Sequence, residues 1–380
     1  MIPYGKQELS EKDLDAVNSV LKSDYWTQGP KIEEFENKFA DFCKSKYAVA
    51  CSSGTAALHL SYLTQKSSRK NGNKVLTTPL SFSATSNAML YCGLVPEFVD
   101  IDPNTLIIDF NELEVKLSNS PEEYVGISIV HFAGLYANME ALYKLATEYE
   151  LWIIEDCCHA PGANFLTSSD TVSQSGSCNF SSCSTFSFHP VKHIACGEGG
   201  MITTNNKATY DKLKSLRSHG LSKIGTPETG LWLQELYELG FNYRMSDINA
   251  ALGISQLERI QYSISRRNEI AKKYDLELQR LPLKLAPRGN GIHAFHLYVI
   301  QTPKRKELYD FLREREILTQ VHYKPIHTTN YYIEKVLKSK ISLPKVEKYY
   351  EECLSLPIFP SLTEKDLTFI INSIKEFFEN

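Results

Sequence analysis

The sequence predicts an α/β protein, with a large doubly wound domain of helices packed on both faces of a mostly parallel sheet, followed by a smaller α/β domain. Three observations lead to that class. Between residues 47 and 156, strand-like and helix-like segments alternate. The strands among them, such as "YAVAC", "YVGISIVH" and "LWIIED", are nearly unbroken apolar runs, as expected of a sheet covered on both sides. At 380 residues the chain also exceeds what one hydrophobic core usually serves, so a division into 1–250 and 251–380 is expected.

Taken in order, "LSEKDLDAVNSVLKS" sets Ser10 and Asp13 three residues apart, the spacing of a capping box. The helix it opens has Leu14, Val17, Val20 and Leu21 as its apolar face. After "WTQGP" (26–30) a second amphipathic helix runs through "IEEFENKFADFCKS". Then "YAVACSS" leads into "GTAALHLSYL", and "KVLTTP" into "SFSATSNAMLYCG". "PEFVDID" is followed by "YVGISIVH", a helix from about Met139, and "LWIIED". "TFSFHP" and "GGMITTN" read as a hairpin-like pair of strands separated by a loop that carries Lys192. Residues 246–281 read as one charged helix or two, bridging the domains. Beyond them come a strand "HAFHLYVIQ", a helix "RKELYDFLRERE", strand and loop in "LTQVHYKPIH", and a closing helix "TEKDLTFIINSIKEFFEN". The polar "TQKSSRKNGN" (64–73) reads as a turn, and the serine-rich stretch 167–184 as turns and strand edges.

Composition narrows the function classes. With 42% hydrophobic and 23% charged residues the chain reads as an ordinary globular protein. A net charge of −4 with both signs interspersed leaves no basic face for nucleic acid or an anionic membrane. The apolar runs fall far short of a span of about 20 residues. The start "MIPYGKQELSEKD" lacks the apolar core of a signal peptide, so a cytoplasmic protein is expected. Nine cysteines are scattered without a C-x-x-C pair, which argues against a disulfide framework or a zinc site, and no metal is expected. Cys157 and Cys158 adjoin at a strand end and should face opposite sides, as should the two histidines of "HAFH" (293–296) if that segment is a strand.

The chemistry gathers around three places. Asp156 ends the apolar strand "LWIIED", where ligands of open α/β sheets bind, with Glu155 facing the other way. Taken alone, the same position reads more readily as an N-cap. "SSGTAAL" (52–58) is a strand-to-helix turn whose amides, with the Ser53 and Thr55 hydroxyls, suit a phosphate, or merely cap the helix. No G-x-G-x-x-G or P-loop motif accompanies it, and "GEGG" (197–200) precedes a strand and reads as a turn. Lys192 is a single lysine in a glycine-rich loop of an α/β crevice, the setting in which a lowered pKa lets an amine capture a carbonyl compound. Phosphate cradle, strand-end carboxylate and lysine together meet the needs of pyridoxal phosphate. Phe82 in "PLSFSAT" could lie over its ring, or could be core. Of the remaining histidines, His131, His189 and His219 read as hydrogen-bonded structural residues, with His159 and His322 set apart from them. Arg217 and Arg244 read equally as anion contacts or ion-pair partners.

With these motifs in order along the whole chain, from "IPYGKQ" and "WTQGP" through "SSGTAALHL", "FSFHPVK", "GEGGMITTN" and "GFNYRMSDINAALG" to "VHYKPIH", the sequence resembles the DegT-type sugar-nucleotide aminotransferases. That resemblance implies the pyridoxal-phosphate-dependent transferase fold of the aspartate aminotransferase type, fold type I. It implies transamination at C4 of a UDP-linked 4-keto-6-deoxy amino sugar, with L-glutamate as donor. It further implies that Lys192 holds the cofactor and moves the proton, that Asp156 pairs with the pyridine nitrogen, and that His159 lies near the ring. Gly54, Thr55 and Ser187 would hold the phosphate, and Phe82 would stack on the ring. Asn242 would reach the cofactor of a second copy in a homodimer. Tyr4, in an N-terminal arm (1–12) near the substrate, would line the sugar-nucleotide site with Asp24, Tyr25, Trp26, Thr27, Val321, His322, Tyr323 and Lys324. A related sugar dehydratase would carry a histidine at the lysine position, where this chain has Lys192 with His193 only beside it. A cofactor-binding regulator would lack the lysine or carry a DNA-binding appendage.

Overall fold

The structure, a computed structural model, describes residues 1–65 and 72–379, so the middle of the expected turn at 64–73 lies outside the described residues. Two helices come first, α1 (Glu11–Leu21) and α2 (Pro30–Cys43). Alternation follows: β1 (Tyr47–Cys51), α3 (Gly54–Thr64), β2 (Lys74–Thr77), α4 (Ala84–Tyr91), β3 (Val95–Phe98), α5 (Phe110–Asn119), β4 (Tyr124–Val130), α6 (Met139–Glu148) and β5 (Trp152–Asp156). A small ribbon of β6 (Asn164–Leu166) and β7 (Val172–Gln174) occupies the serine-rich stretch before β8 (Cys183–Ser187) and β9 (Gly200–Thr204). The last two form the expected antiparallel pair around the Lys192 loop.

These strands make one seven-stranded sheet in the order β1-β9-β8-β5-β4-β2-β3. It is parallel from β8 through β3 and antiparallel where β9 meets β1 and β8. Helices cover both faces, so every residue of β4 and of β9 is buried. The central β5 ends at Asp156, and the crevice beyond the strand ends is where the site forms.

After α7 (Lys207–Arg217) and a short ribbon, β10 (Leu221–Lys223) with β11 (Gln234–Leu236), the charged stretch at 246–281 resolves into two helices, α8 (Asp247–Glu258) and α9 (Ile260–Leu278). Asp247 ties α8 to α2: its carboxylate accepts from the amides of Gly29 (2.8 Å) and Lys31 (2.9 Å), capping a helix whose own cap residue is glycine. Arg217 at the end of α7 is buried against Glu36 of α2 at 2.5 Å, and Glu36 also accepts from the Ala50 amide at 2.9 Å. Arg217 is therefore an ion-pair residue, one of the two readings its sequence position allowed. Arg244, the other, has no ion pair among the described residues.

The C-terminal part contains β12 (Tyr298–Gln301), α10 (Arg305–Glu314), α11 (Pro344–Glu352), β13 (Cys353–Leu356) and α12 (Glu364–Glu379). β12 and β13 pair antiparallel, and α9, α10 and α12 close a separate hydrophobic core over them. The N-terminal arm joins that core: Ile2 bridges to Ile317 and is buried, and the Tyr4 carbonyl accepts from the Ile358 amide at 3.1 Å.

Three local expectations are corrected. In α1 the capping box forms, yet only Val20 of the expected face is fully buried, and Leu14 and Leu21 stay exposed. The helix docks through a polar contact instead, Asp13 with Arg259 at 2.6 Å. "HAFHLYVIQ" is a strand only from Tyr298, because the five residues before it are drawn into an irregular loop by hydrogen bonds described below. No strand forms in "LTQVHYKPIH", which makes a single bridge between Gln320 and Ser355. Among the described residues no helix is long and apolar enough to cross a membrane.

Candidate active site

Beyond the carboxyl ends of the central strands lies a cavity of about 440 Å³. Its floor is Asp156. One carboxylate oxygen accepts from the Thr85 hydroxyl at 2.7 Å and the other from the Cys158 amide at 3.1 Å, so the group is buried and anchored from two elements. No helix follows for it to cap. Glu155 does face the other way, where it takes the hydroxyls of Ser181 (2.5 Å) and Ser184 (2.8 Å) and meets His131 Nε2 at 2.9 Å. The Ala137 amide donates to His131 Nδ1, which assigns the ring proton to Nε2 and makes that contact a donation to Glu155. The alternation of a strand thus separates a structural carboxylate from a site carboxylate one residue apart.

One wall is the turn from β1 into α3. Ser53 caps α3 by accepting from the Ala56 amide, and the first amides of the helix face the cavity at the positive end of its dipole. Gly54 and Ser187 lie against each other here: a Cβ on Gly54 would stand 2.8 Å from the Ser187 Cβ. Gly200 serves the same turn, since a Cβ there would stand 2.3 Å from the Ser53 carbonyl oxygen. These contacts need glycine and leave a concave surface of amides and hydroxyls.

Lys192 enters from the opposite side on the loop between β8 and β9, its backbone amide bound to the His189 carbonyl at 2.8 Å. Burial lowers its pKa, partly offset by Cys158 and Asp156 nearby. Its Nζ lies 3.4 Å from Nε2 of His296. His159 accepts the Ala133 amide at Nδ1 (3.3 Å), so its ring proton sits on Nε2 and donates to the Tyr323 hydroxyl, also at 3.3 Å. The ring is pinned at both nitrogens. Phe82 is 61% exposed at the mouth, which excludes core packing, and its ring centroid lies 6.1 Å from that of Tyr323.

Of the other expected residues, Thr55, Ser187, Tyr4, His322 and Tyr323 line the cavity. Val321 instead packs toward the hydrophobic cores, and Lys324 is exposed outside the lining. Asn242 and the segment Asp24–Thr27 are exposed and lie outside the cavity of their own chain. Thr27 bridges to Ser246 and the Asp247 amide donates to the Trp26 carbonyl, whereas Asn242 bridges to Ser218. His131 is the hydrogen-bonded structural residue expected, whereas His189 and His219 are exposed, His189 at the cavity's edge. The sequence reading missed Thr85 and His296 as site residues. Thr85, in the first turn of α4, follows Phe82 by three residues, a weak signal; His296 gives none, because "HAFHLYVIQ" reads as a strand.

A deep cleft lined by a half-buried lysine, a buried carboxylate and a helix N-terminus is the donor set a phosphorylated aldehyde cofactor needs. The whole chain carries the matching pattern. Residues 7–375 match the profile of the DegT/DnrJ/EryC1/StrS aminotransferase family. The chain belongs to that family. It is 36% identical to the UDP-4-amino-4,6-dideoxy-N-acetyl-beta-L-altrosamine transaminase of Campylobacter jejuni serotype O:2, over 100% of this chain and 98% of the other. It is 34% identical to the spore coat polysaccharide biosynthesis protein SpsC of Bacillus subtilis, over 99% and 96%. Among solved structures it superposes with a TM-score of 0.92 on Helicobacter pylori PseC, described as an aminotransferase involved in the biosynthesis of pseudoaminic acid, at 32% identity over 100% and 99% of the two chains. As a member of this family the protein is a pyridoxal-phosphate-dependent sugar aminotransferase with the type I fold, acting on nucleotide-linked keto sugars.

The site also carries an acid sensitivity. Burial pushes the pKa of His293 and His322 down from 6.5 to about 3, and those of His159, His193 and His296 well below the ordinary value. Unfolded, these rings take a proton near pH 6.5; folded, they stay neutral, so the unfolded state binds more protons once the pH drops below that value. Stability fully present above pH 6.5 should therefore fall as acid is added, by about 1.4 kcal/mol per ring per pH unit. Urea midpoints measured between about pH 7 and pH 4 check this; a flat profile would contradict the neutral assignments.

Proposed function

We propose that the protein transfers the amino group of L-glutamate to C4 of a UDP-4-keto-6-deoxy-N-acetylhexosamine, giving UDP-4-amino-4,6-dideoxy-N-acetyl-β-L-altrosamine, in the cytoplasmic synthesis of pseudaminic acid. The observation that carries this reading is the end-to-end similarity to the Campylobacter transaminase, combined with a cavity lined by both Lys192 and Asp156. The bound cofactor supplies an aldehyde and an electron-withdrawing ring. Lys192 would hold that aldehyde, and its amine would be the group that takes and returns the proton at the donor Cα. Its lowered pKa keeps part of the amine neutral for that task. Asp156 would hold a proton on the pyridine nitrogen. The amides at Gly54 and Thr55, with the Ser187 hydroxyl, would hold the phosphate, and Phe82 would pack on the ring. His159, whose nitrogens are both engaged, packs against the ring and is no proton carrier. Tyr4, His322 and Tyr323 line the sugar side, with Val321 and Lys324 shaping the same segment.

In this reading the enzyme is a homodimer with shared sites. Asn242 and Asp24–Thr27 lie outside their own cavity, and the 24–27 segment is tied to the start of α8 by the Thr27–Ser246 bridge and by Asp247, which takes the Gly29 amide. Nearby, the β10–β11 ribbon exposes Leu231, Trp232 and Leu239, which a second copy would cover. Mixing an inactive Asn242→Ala variant with an inactive Lys192→Ala variant is expected to restore activity, because one site of the mixed dimer is then intact. Additive inactivity after subunit exchange would place Asn242 outside the partner's site.

The substrate is tested by offering the two C5 epimers of UDP-4-keto-6-deoxy-N-acetylhexosamine separately to enzyme loaded with pyridoxal phosphate and glutamate. Mass spectrometry should show the amino sugar from the L-arabino epimer. Turnover of the D-xylo epimer alone would move the protein to a bacillosamine-type reaction; perosamine-type substrates are the further comparison.

A further inference from the structure

The loop 293–297 delivers a histidine to Lys192 that the proposed chemistry leaves without a task. Every backbone feature of this loop serves to hold it. The His193 Nε2–H, on the residue next to Lys192, donates to the Ala294 carbonyl at 2.8 Å. Phe295 takes a positive φ of 45°, and its amide donates to His293 Nδ1 at 2.8 Å. Arg267 of α9 is buried with no carboxylate partner; its Nη1 donates to the carbonyls of Phe295 (3.0 Å) and Ile358 (2.9 Å), with His296 at 3.5 Å. Asn268 adds a bond to the His293 carbonyl at 2.8 Å. A buried guanidinium spent on backbone carbonyls is costly unless the loop it fixes matters.

What the loop fixes is the His296 ring. It is buried, lies 4.3 Å from the His159 ring between centroids, and turns Nε2 to Lys192 at 3.4 Å, while its Nδ1 has no partner. We propose that His296 is a positioning residue for Lys192: in neutral form it is the hydrogen-bond partner that parks the free ε-amine during the half-reactions and sets its proton affinity. A protonated ring is excluded by what surrounds it. Lys192, His193 and Arg267 face it as cations or potential cations, the His159 ring lies tilted against it, and the acids Asp156 and Cys158 act on Lys192. As an acceptor, Nε2 stabilises the ammonium; with a neutral amine the tautomer reverses and the ring donates.

This rests on Lys192 being the proton carrier of the proposed reaction. The test uses the holoenzyme in single turnovers with L-glutamate across pH, followed by cofactor absorbance, and, without glutamate, the pH titration of that absorbance. His296→Phe keeps the bulk and removes the acceptor. The expected result is a glutamate half-reaction slowed about 10-fold or more, with its acidic limb moved to lower pH because the ammonium has lost its partner. His296→Gln, whose amide reaches the Nε2 position, should restore much of the rate and return the limb toward wild type. An unmoved limb in His296→Phe, or a Gln variant as impaired as the Phe variant with the same cofactor content, would overturn the proposal and leave a packing role. If wild type itself shows no half-reaction with glutamate, or Lys192→Ala retains it, the underlying reading fails instead.

Discussion

Replacing Lys192 with alanine is expected to abolish transamination, a loss of about 10⁴-fold or more, since carbonyl capture and proton transfer rest on the same amine. Among the residues lining the cavity Lys192 is the one amine, and carbonyl capture needs an amine. His193 is turned away toward the Ala294 carbonyl, and both nitrogens of His159 are engaged. The fold should survive, because what anchors the loop is the Lys192 backbone amide bonded to the His189 carbonyl. Borohydride reduction of wild type should fix the cofactor on Lys192, seen by peptide mass spectrometry, and the alanine variant should carry no such adduct. Retention of activity within about tenfold of wild type would remove the lysine from the mechanism.

The second large effect is at Asp156. Substitution by alanine or asparagine should each lower the glutamate half-reaction by about 10²–10⁴-fold, because neither side chain can hold a proton on the pyridine nitrogen. The pair separates charge from structure. Alanine strips the Thr85 hydroxyl and the Cys158 amide of a buried acceptor, at a cost of about 1–3 kcal/mol, whereas asparagine can still accept from one of them. The two variants should therefore differ in thermal stability and agree in activity. If the asparagine variant turned over like wild type, the carboxylate would be only a local anchor. The neighbouring Glu155→Gln change should disturb stability and spare the chemistry, since Glu155 bonds to His131, Ser181 and Ser184 on the other face.

Much of the molecule was legible beforehand, and for identifiable reasons. Buried parallel strands must be apolar along their length, so β1, β4 and β5 could be read directly. The capping box at Ser10 and Asp13 is a local hydrogen-bond pattern and formed as read. Asp156 alone reads more readily as an N-cap; it is the combination with Lys192 and the phosphate cradle at 52–58 that points to pyridoxal phosphate. Resemblance along the whole chain then adds the sugar-nucleotide substrate.

Other features have no local signature. Leu14 and Leu21 show the right helical spacing, but their helix is docked by Asp13 and Arg259, residues 246 positions apart, and that contact leaves them exposed. Arg217 reads equally as an anion ligand or an ion-pair residue until Glu36 is placed against it from α2. His296 lies in a run of β-formers and was assigned to a strand. A positive φ at Phe295 and a guanidinium 28 residues away in the chain turn that run into a loop aimed at Lys192. The strands, the caps and the two charges at the crevice follow from short-range periodicity and valence, which any window of the sequence contains. Which histidine meets the lysine, and which carboxylate meets each arginine, depends on contacts between distant segments, and those exist only once the chain has closed on itself.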